Sequence, residues 1–213
     1  MPLGDPVGPV DPVDPVVAAY SDRAEEYTAL LGSMDVVDPA DRQTVARWAA
    51  AQTGLVVDLG CGPGHWTAAL GAAGHDVVGI EPTPAFRTLA RRRFPGIDVR
   101  DGRAGQLPFE DGTVGGVLAW YSLIHLDADG FGAALDEAAR VVAHEGGLLL
   151  GFFEGERLET FEHQVVRARR WPVHRVSDLL DVAGFRVTEV VTRTTPPHRP
   201  HAAIGAVRVS SRG

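Results

Sequence analysis

Residues Leu55 to Leu70 read LVVDLGCGPGHWTAAL, an apolar β-branched run that stops at Asp58 and meets Gly60, Gly62 and Gly64 in alternation with other residues. Backbone without Cβ lets a ligand touch the main chain, and the first amides of a following helix point at it. A strand closing on such a turn and opening into a helical pattern is the entry to a nucleotide-type ligand site. The dinucleotide fingerprint is spaced G-x-G-x-x-G, its third glycine relieving helix packing against the strand. Here the spacing is G-x-G-x-G, which puts Gly64 in the turn itself, where close backbone approach accommodates an amino-acid moiety. A glycine turn also occurs simply to let a strand meet a helix tightly, so it needs a second element.

That element is Glu81. It closes the next apolar run, about twenty residues after the first glycine, where a carboxylate accepts hydrogen bonds from both hydroxyls of a ribose. The plain alternative is a surface glutamate favoured by the dipole of the helix that Pro84 starts.

The elements that must position these residues alternate. The opening strand is followed by helical spacing from His65 to Ala73, a strand from Asp76 to Ile80, a helix from Pro84 to about Phe94, strands at Ile97 to Arg100 and Val114 to Trp120, a helix from Phe131 to Ala143, and a strand from Gly147 to Phe153. This rhythm predicts a parallel sheet covered on both faces. A helix near Ser177 to Ala183 ends at Gly184, and Phe185 to Arg193 and Ala203 to Ser210 then read as a terminal antiparallel pair. Upstream, Val17 to Leu31 predicts an amphipathic helix and Asp41 to Ala51 a second, together a helical lid over about 17–52. Residues 1–16, with their repeated Asp-Pro-Val, read as an extended, disordered leader. The rest, 17–213, reads as one domain.

On these motifs the chain resembles the class I S-adenosylmethionine-dependent methyltransferases from about Tyr20 to Val209. DLGCGPG is similar to the family's first motif and GIEPT to its second-strand acidic motif. LPFEDGTVGGVLAWYSLIHL is similar to the segment around its fourth strand, and ARVVAHEGGLLLGFF to its fifth strand with the preceding helix. The resemblance implies an α/β, Rossmann-like fold with a doubly wound, seven-stranded, mostly parallel sheet of order 3-2-1-4-5-7-6, strand 7 antiparallel. The implied cofactor is S-adenosylmethionine, with S-adenosylhomocysteine as product. Asp58, Gly60, Cys61, Gly62 and Gly64 would surround its methionine moiety and Glu81 its ribose. Pro82, Thr83 and Ala104 would flank the adenosine, with Ala119 and Trp120 beside the methionine end and Tyr121 and Ser122 beyond. Many relatives carry an aspartate after the third strand that accepts from the adenine amino group; here the residues are Gly102-Arg103-Ala104, with Asp101 the neighbouring substitute.

A sulfonium is already an activated leaving group, so holding an acceptor in line with its methyl supplies most of the rate. Neither a metal nor a covalent nucleophile is required, and the histidines show no ligand spacing. An acceptor hydroxyl or protonated amine must lose a proton, and neutral histidine suits that near pH 7. His125 is the best-placed catalytic candidate, with Tyr121 in the same segment the second; the structural alternative for His125 is packing under the sheet edge. Tyr20, Tyr27, Tyr121 and His198 are candidate acceptor contacts. Trp66 and Trp171 fit core packing better than a pocket wall.

The 213 residues carry a formal charge of −8, and every basic residue is arginine. That balance gives no general attraction to a phosphate backbone, so no nucleic-acid partner is expected. No apolar stretch reaches the ~20 residues of a membrane helix, and no signal peptide is visible, so no membrane partner is expected either. The lone Cys61 fits a reducing, cytoplasmic setting. The expected function is methyl transfer to oxygen or nitrogen of a small-molecule acceptor by a monomer or homodimer. The rivals are a nicotinamide-dependent oxidoreductase, disfavoured by the glycine spacing, and a donor-binding protein without transferase activity.

Overall fold

Fully buried apolar runs build the centre of the sheet. β1 (Val56–Leu59), β2 (Val77–Ile80) and β4 (Val114–Trp120) are buried along almost their whole length, as strands covered on both faces must be. The computed structural model describes residues 14–194 and 199–209. Going outward from β1, β2 and then β3 (Asp98–Arg100) pair in parallel on one side. On the other side lie β4 and β5 (Val142–Glu154). The central order is therefore β3-β2-β1-β4-β5.

The terminal pair also forms. β9 (His201–Arg208) runs antiparallel to β5 from Gly147↔Val207 to Phe153↔His201, and β8 (Phe185–Arg193) is antiparallel to β9. The end of the sheet thus has the arrangement implied by the expected 5-7-6 order.

Two strands were not foreseen. β6 (Glu159–Phe161) and β7 (Ala168–Trp171) pair antiparallel between β5 and the last helix. β4 stops pairing with β5 at Gly151, and β7 takes over at Phe153 and Glu154 on the same edge. Because β5 runs past the end of β4, its last amides and carbonyls would otherwise lack partners. The Arg170 guanidinium holds this pair by lying over the Phe161 ring, 4.7 Å from its centroid, and by an ion pair to Glu159 at 2.9 Å.

Side-chain alternation splits the core into two layers. Val57, Leu59, Val117, Leu148 and Leu150 face one way, towards α6 (Ala128–Val141) and α7 (Val173–Val182). Val56, Leu118 and Leu149 face the other, towards α3 (Pro39–Ala49) and α4 (His65–Ala72). α5 (Pro84–Arg93) follows β2.

The amino-terminal helix differs from the expectation. It is two helices, α1 (Pro15–Asp22) and α2 (Ala24–Leu31), interrupted at Arg23, whose φ of −117° and ψ of 15° leave the helical region. Most of the leader, residues 1–13, lies outside the described residues. Its last two residues, Pro15 and Val16, belong to α1 and Asp14 caps it: Asp14 Oδ1 accepts from the Val16 amide at 2.8 Å and Pro15 occupies the first turn. That is the pairing of cap and proline that starts a helix. Among the described residues no helix is long and apolar enough to cross a membrane.

Candidate active site

A cleft of about 220 Å³, partly open to solvent, lies over the carboxyl ends of the central strands, where ligands bind in open α/β sheets. α1 and α2 cover it. Its wall contains Gly60, Gly62, Glu81, Pro82, Thr83, Ala104, Trp120, Tyr121, Ser122, Tyr20, Tyr27 and His125 from the residues expected of the sequence, together with Arg103.

The three glycines do different work. All have positive φ, of 69°, 53° and 80° for Gly60, Gly62 and Gly64, a backbone that other residues adopt only at a cost. A Cβ on Gly62 would meet nothing within 4 Å, so its open side faces the cleft. On Gly60 it would fall 2.3 Å from Ser122 Cβ, so this glycine lets the segment after β4 approach the turn. Gly64 was expected to face the ligand, but it caps α4, and a Cβ there would lie 2.9 Å from both Ala90 Cβ and Ile97 Cδ1. Its bare side serves helix packing against α5.

Three other expected contacts also stand behind the wall. Asp58 is buried at 2% exposure and accepts a 2.7 Å bond from the Thr67 hydroxyl of α4. Burial pushes its carboxyl up to about 7, against the Thr67 bonds. Cys61 is a buried free thiol packed with Ala90 and Val99, and Ala119 is core. Trp66 and Trp171 are core residues as expected.

Glu81 ends β2 at the cleft. Its Oε2 accepts from the Gly62 amide at 2.9 Å and its Oε1 from the Thr83 amide at 2.8 Å. The carboxylate therefore ties the glycine turn to the start of α5 and is held in one orientation. Burial raises its pKa, and the amide bonds and Arg87 oppose that rise. Asp101 does not substitute for the missing acidic residue after β3. It is 73% exposed and paired with Arg87 at 2.9 Å, outside the cleft wall.

The far end of the cleft is aromatic. The Tyr20 and Tyr27 rings meet edge-on at 5.5 Å, and both pack on Phe86 of α5. Burial raises the Tyr20 hydroxyl and pushes that of Tyr27 up to about 12, with the Glu81 charge adding to both. Tyr121 has a left-handed backbone, φ 57°, and its ring lies 5.7 Å from Trp120 and 5.1 Å from Phe153. Burial raises its hydroxyl as well.

His125 sits between cleft and sheet. Its Nδ1 is 2.8 Å from the Arg167 carbonyl and its Nε2 2.9 Å from the Tyr20 hydroxyl. A carbonyl can only accept, so Nδ1 carries the proton and Nε2 is the acceptor. Burial lowers its pKa, against the Arg167 bond, so the ring is neutral near pH 7. His198 lies outside the described residues. Among the described residues no His, Cys, Asp and Glu group could hold a metal ion.

Asp14 and Val16, at the start of α1, also line the cleft. Reading them as leader hid them, although Asp14-Pro15 is a helix-start signal.

Comparison with known proteins agrees with this geometry. The sequence pattern of a methyltransferase domain matches residues 56–146. An uncharacterized methyltransferase of Oceanobacillus iheyensis is 26% identical over 148 residues, 70% of each chain. A protein of Mycolicibacterium smegmatis, named a probable S-adenosylmethionine-dependent methyltransferase, is 27% identical over 145 residues, 64% of this chain and 53% of its own; this chain thus spans about half of that relative. Among solved structures, the 1,6-didemethyltoxoflavin-N1-methyltransferase of Burkholderia thailandensis, with its acceptor and S-adenosylhomocysteine bound, superposes with a TM-score of 0.72 at 19% identity, over 95% of this chain and 93% of that one. The glycine turn, the buried acidic residue after β2, the strand order and these matches converge: residues 56–146 form a methyltransferase domain, and the chain is similar in sequence and fold to S-adenosylmethionine-dependent methyltransferases.

Proposed function

We propose that the enzyme transfers the methyl group to an oxygen or nitrogen of a small molecule by in-line displacement. The observation that carries this reading is the roof of the cleft. α1 and α2 close over it and bring Tyr20 onto His125, leaving a space of small-molecule size walled largely by aromatic and aliphatic side chains. The formal charge of −8 supports an acceptor other than nucleic acid. A cytoplasmic setting fits the buried free thiol of Cys61.

The residues present fit the donor. Gly62 leaves open space at the turn, and the buried Ser122 hydroxyl, packed beside Gly60, has no hydrogen-bond partner. Main chain at Gly60 and Gly62, with Trp120 and Ser122, would hold the methionine end. Glu81 would grip the ribose with the lone pairs its two amide bonds leave unused, and Pro82, Thr83 and Ala104 would flank the adenine. Asp58, Cys61, Gly64 and Ala119 act one layer back, shaping the turn. When bound, the donor supplies a methyl group on a positively charged sulfur, so the chain has only to orient an acceptor and remove its proton.

His125 is suited to that removal at Nε2, because its Nδ1–H is fixed on the Arg167 carbonyl. Tyr20, Tyr27 and Tyr121 enclose the acceptor and exclude water. A screen of small hydroxyl- and amine-bearing compounds with labelled S-adenosylmethionine tests the reading. Methylated product is expected from wild type and about a hundredfold less from His125→Ala. Transfer confined to a macromolecule in a cell extract would overturn it.

A further inference from the structure

The start of α1 brings a carboxylate to the His125 end of the cleft. Asp14 lines the wall together with Val16, Val17 and Tyr20 of the helix it caps, and the Tyr20 hydroxyl lies 2.9 Å from Nε2 of His125. Asp14 and Tyr20 are roughly 9 Å apart along the helix axis, at 1.5 Å per residue. Helical side chains lean towards the amino terminus, so the Tyr20 hydroxyl and the Asp14 carboxylate share one stretch of wall. The charge of Asp14 reaches the base: burial lowers the His125 pKa, the Arg167 bond opposes that fall, and Asp14 opposes it as well.

Capping engages Asp14 only in part. Its Oδ1 accepts from the Val16 amide at 2.8 Å, and among the described residues no other hydrogen bond or ion pair joins its side chain. The other charged groups of the wall are engaged or distant. Glu81 accepts from the Gly62 and Thr83 amides. Arg103 follows β3, which the strand order sets beyond β2, away from β4 and His125. Arg169, whose charge also reaches His125, donates to the His125 carbonyl and stands outside the wall. This end of the cleft therefore presents a carboxylate, a neutral imidazole and the apolar or aromatic surface of Val17, Leu126 and Tyr121, with no cation among the described wall residues beside them. A half-buried carboxylate without a counter-ion favours a cationic ligand. An ammonium is its complement, because it has three N–H donors and no acceptor, bonds most strongly to a charged oxygen, and is attracted by aromatic faces.

Resting on the reading of small-molecule transfer above, we propose that Asp14 is a specificity-determining residue that takes the ammonium of the acceptor, and that the acceptor is a small primary or secondary amine on an apolar body. The ammonium gives one proton to Nε2 of His125, in the place of the Tyr20 hydroxyl, and keeps the freed lone pair. That pair forms the N–C bond to the methyl group while the C–S bond breaks and its electrons remain on sulfur, leaving a neutral thioether. The product departs as the methylated ammonium, and the proton on His125 returns to water.

The full chain with labelled S-adenosylmethionine is tested on a panel of small alkyl- and arylalkylamines, each matched by the alcohol of the same skeleton. Wild type should methylate amines of the panel with kcat/KM about tenfold or more above that of their alcohols. Asp14→Asn and Asp14→Ser keep a helix-capping side chain and remove the charge, so α1 stays in place, which a thermal melt verifies. In both variants the preference for amine over alcohol should fall by about tenfold or more, the scale of losing a charged hydrogen bond, and the loss should lie in KM. Calorimetry of the preferred amine on the chain saturated with S-adenosylhomocysteine should show the same loss, while S-adenosylhomocysteine itself binds the variants as it binds wild type. A preference left intact in both variants, or transfer to the alcohols alone, overturns the role of Asp14 and leaves small-molecule transfer standing. Weaker S-adenosylhomocysteine binding in both variants overturns it too, by assigning the carboxylate to the amino group of the donor. Transfer to neither set overturns the small-molecule reading, and this inference with it.

Discussion

The Tyr20 hydroxyl of α1 lies 2.9 Å from Nε2 of His125, a residue 105 positions away in the chain. This bond joins the helical roof to the segment after β4, and the two rings meet edge-on with centroids 5.5 Å apart. The acceptor nitrogen of the best-placed base is thus covered by the roof. An acceptor that delivers its proton to Nε2 must take the place of the Tyr20 hydroxyl in this bond.

Tyr20→Phe should therefore loosen α1. Loss of one partly buried hydrogen bond costs about 0.5–1.5 kcal/mol, and hydrogen exchange of the amides in Pro15–Asp22 should speed up by the corresponding factor while β1 and β4 keep their protection. Exchange in α1 identical to wild type would show that packing on Phe86 alone holds the roof.

Gly62 and Gly64 should respond oppositely to substitution. Gly62→Arg places its side chain in the open cleft, so the protein should fold while S-adenosylhomocysteine binding disappears in calorimetry. Gly64→Ala puts a methyl group against Ala90 and Ile97 at a φ of 80°. It should cost about 1–3 kcal/mol in urea unfolding. Donor affinity unchanged in Gly62→Arg would place the ligand elsewhere.

Glu81→Ala should weaken S-adenosylhomocysteine by about 1–3 kcal/mol, the scale of losing hydrogen bonds to a charged group. It also leaves the Gly62 and Thr83 amides without their carboxylate, so the melting temperature should fall too. A wild-type dissociation constant would be the contrary result.

Asp58 predicts a pH dependence of unusual sign. Its folded pKa, about 7, is raised above the ordinary 3.8, so between those values the folded state binds the extra proton. The Asp58 contribution to stability is therefore full below about pH 4 and is lost as pH rises towards 7. Asp58→Asn removes it. The unfolding free energy of wild type minus that of Asp58→Asn should fall across this window by up to about 1.4 kcal/mol per pH unit. A difference that is flat or rises with pH is the falsifying outcome.

Much of this protein could be read from local pattern. Val114–Trp120 and Phe185–Arg193 form the strands expected of them residue for residue, because a short apolar or β-branched-rich segment bounded by turn residues has few other stable uses. The glycine turn and Glu81 were visible for the same reason: positive φ and a carboxylate at a strand end are requirements of the chain itself. Tertiary structure alone decided which of those residues face the cleft. Gly62 and Gly64 look alike in sequence, and only the position of α5 makes one a wall of the site and the other a packing contact. Asp58 and Glu81 are both strand-end acids, yet Thr67 of α4 takes the first while two amides present the second to the ligand space. β6 and β7 exist because β5 outruns β4, a length mismatch that no single segment records. The bond between Tyr20 and His125 likewise depends on how α1 settles over the sheet, and such long-range contacts come from the packing of whole layers, which residue spacing along one chain does not encode.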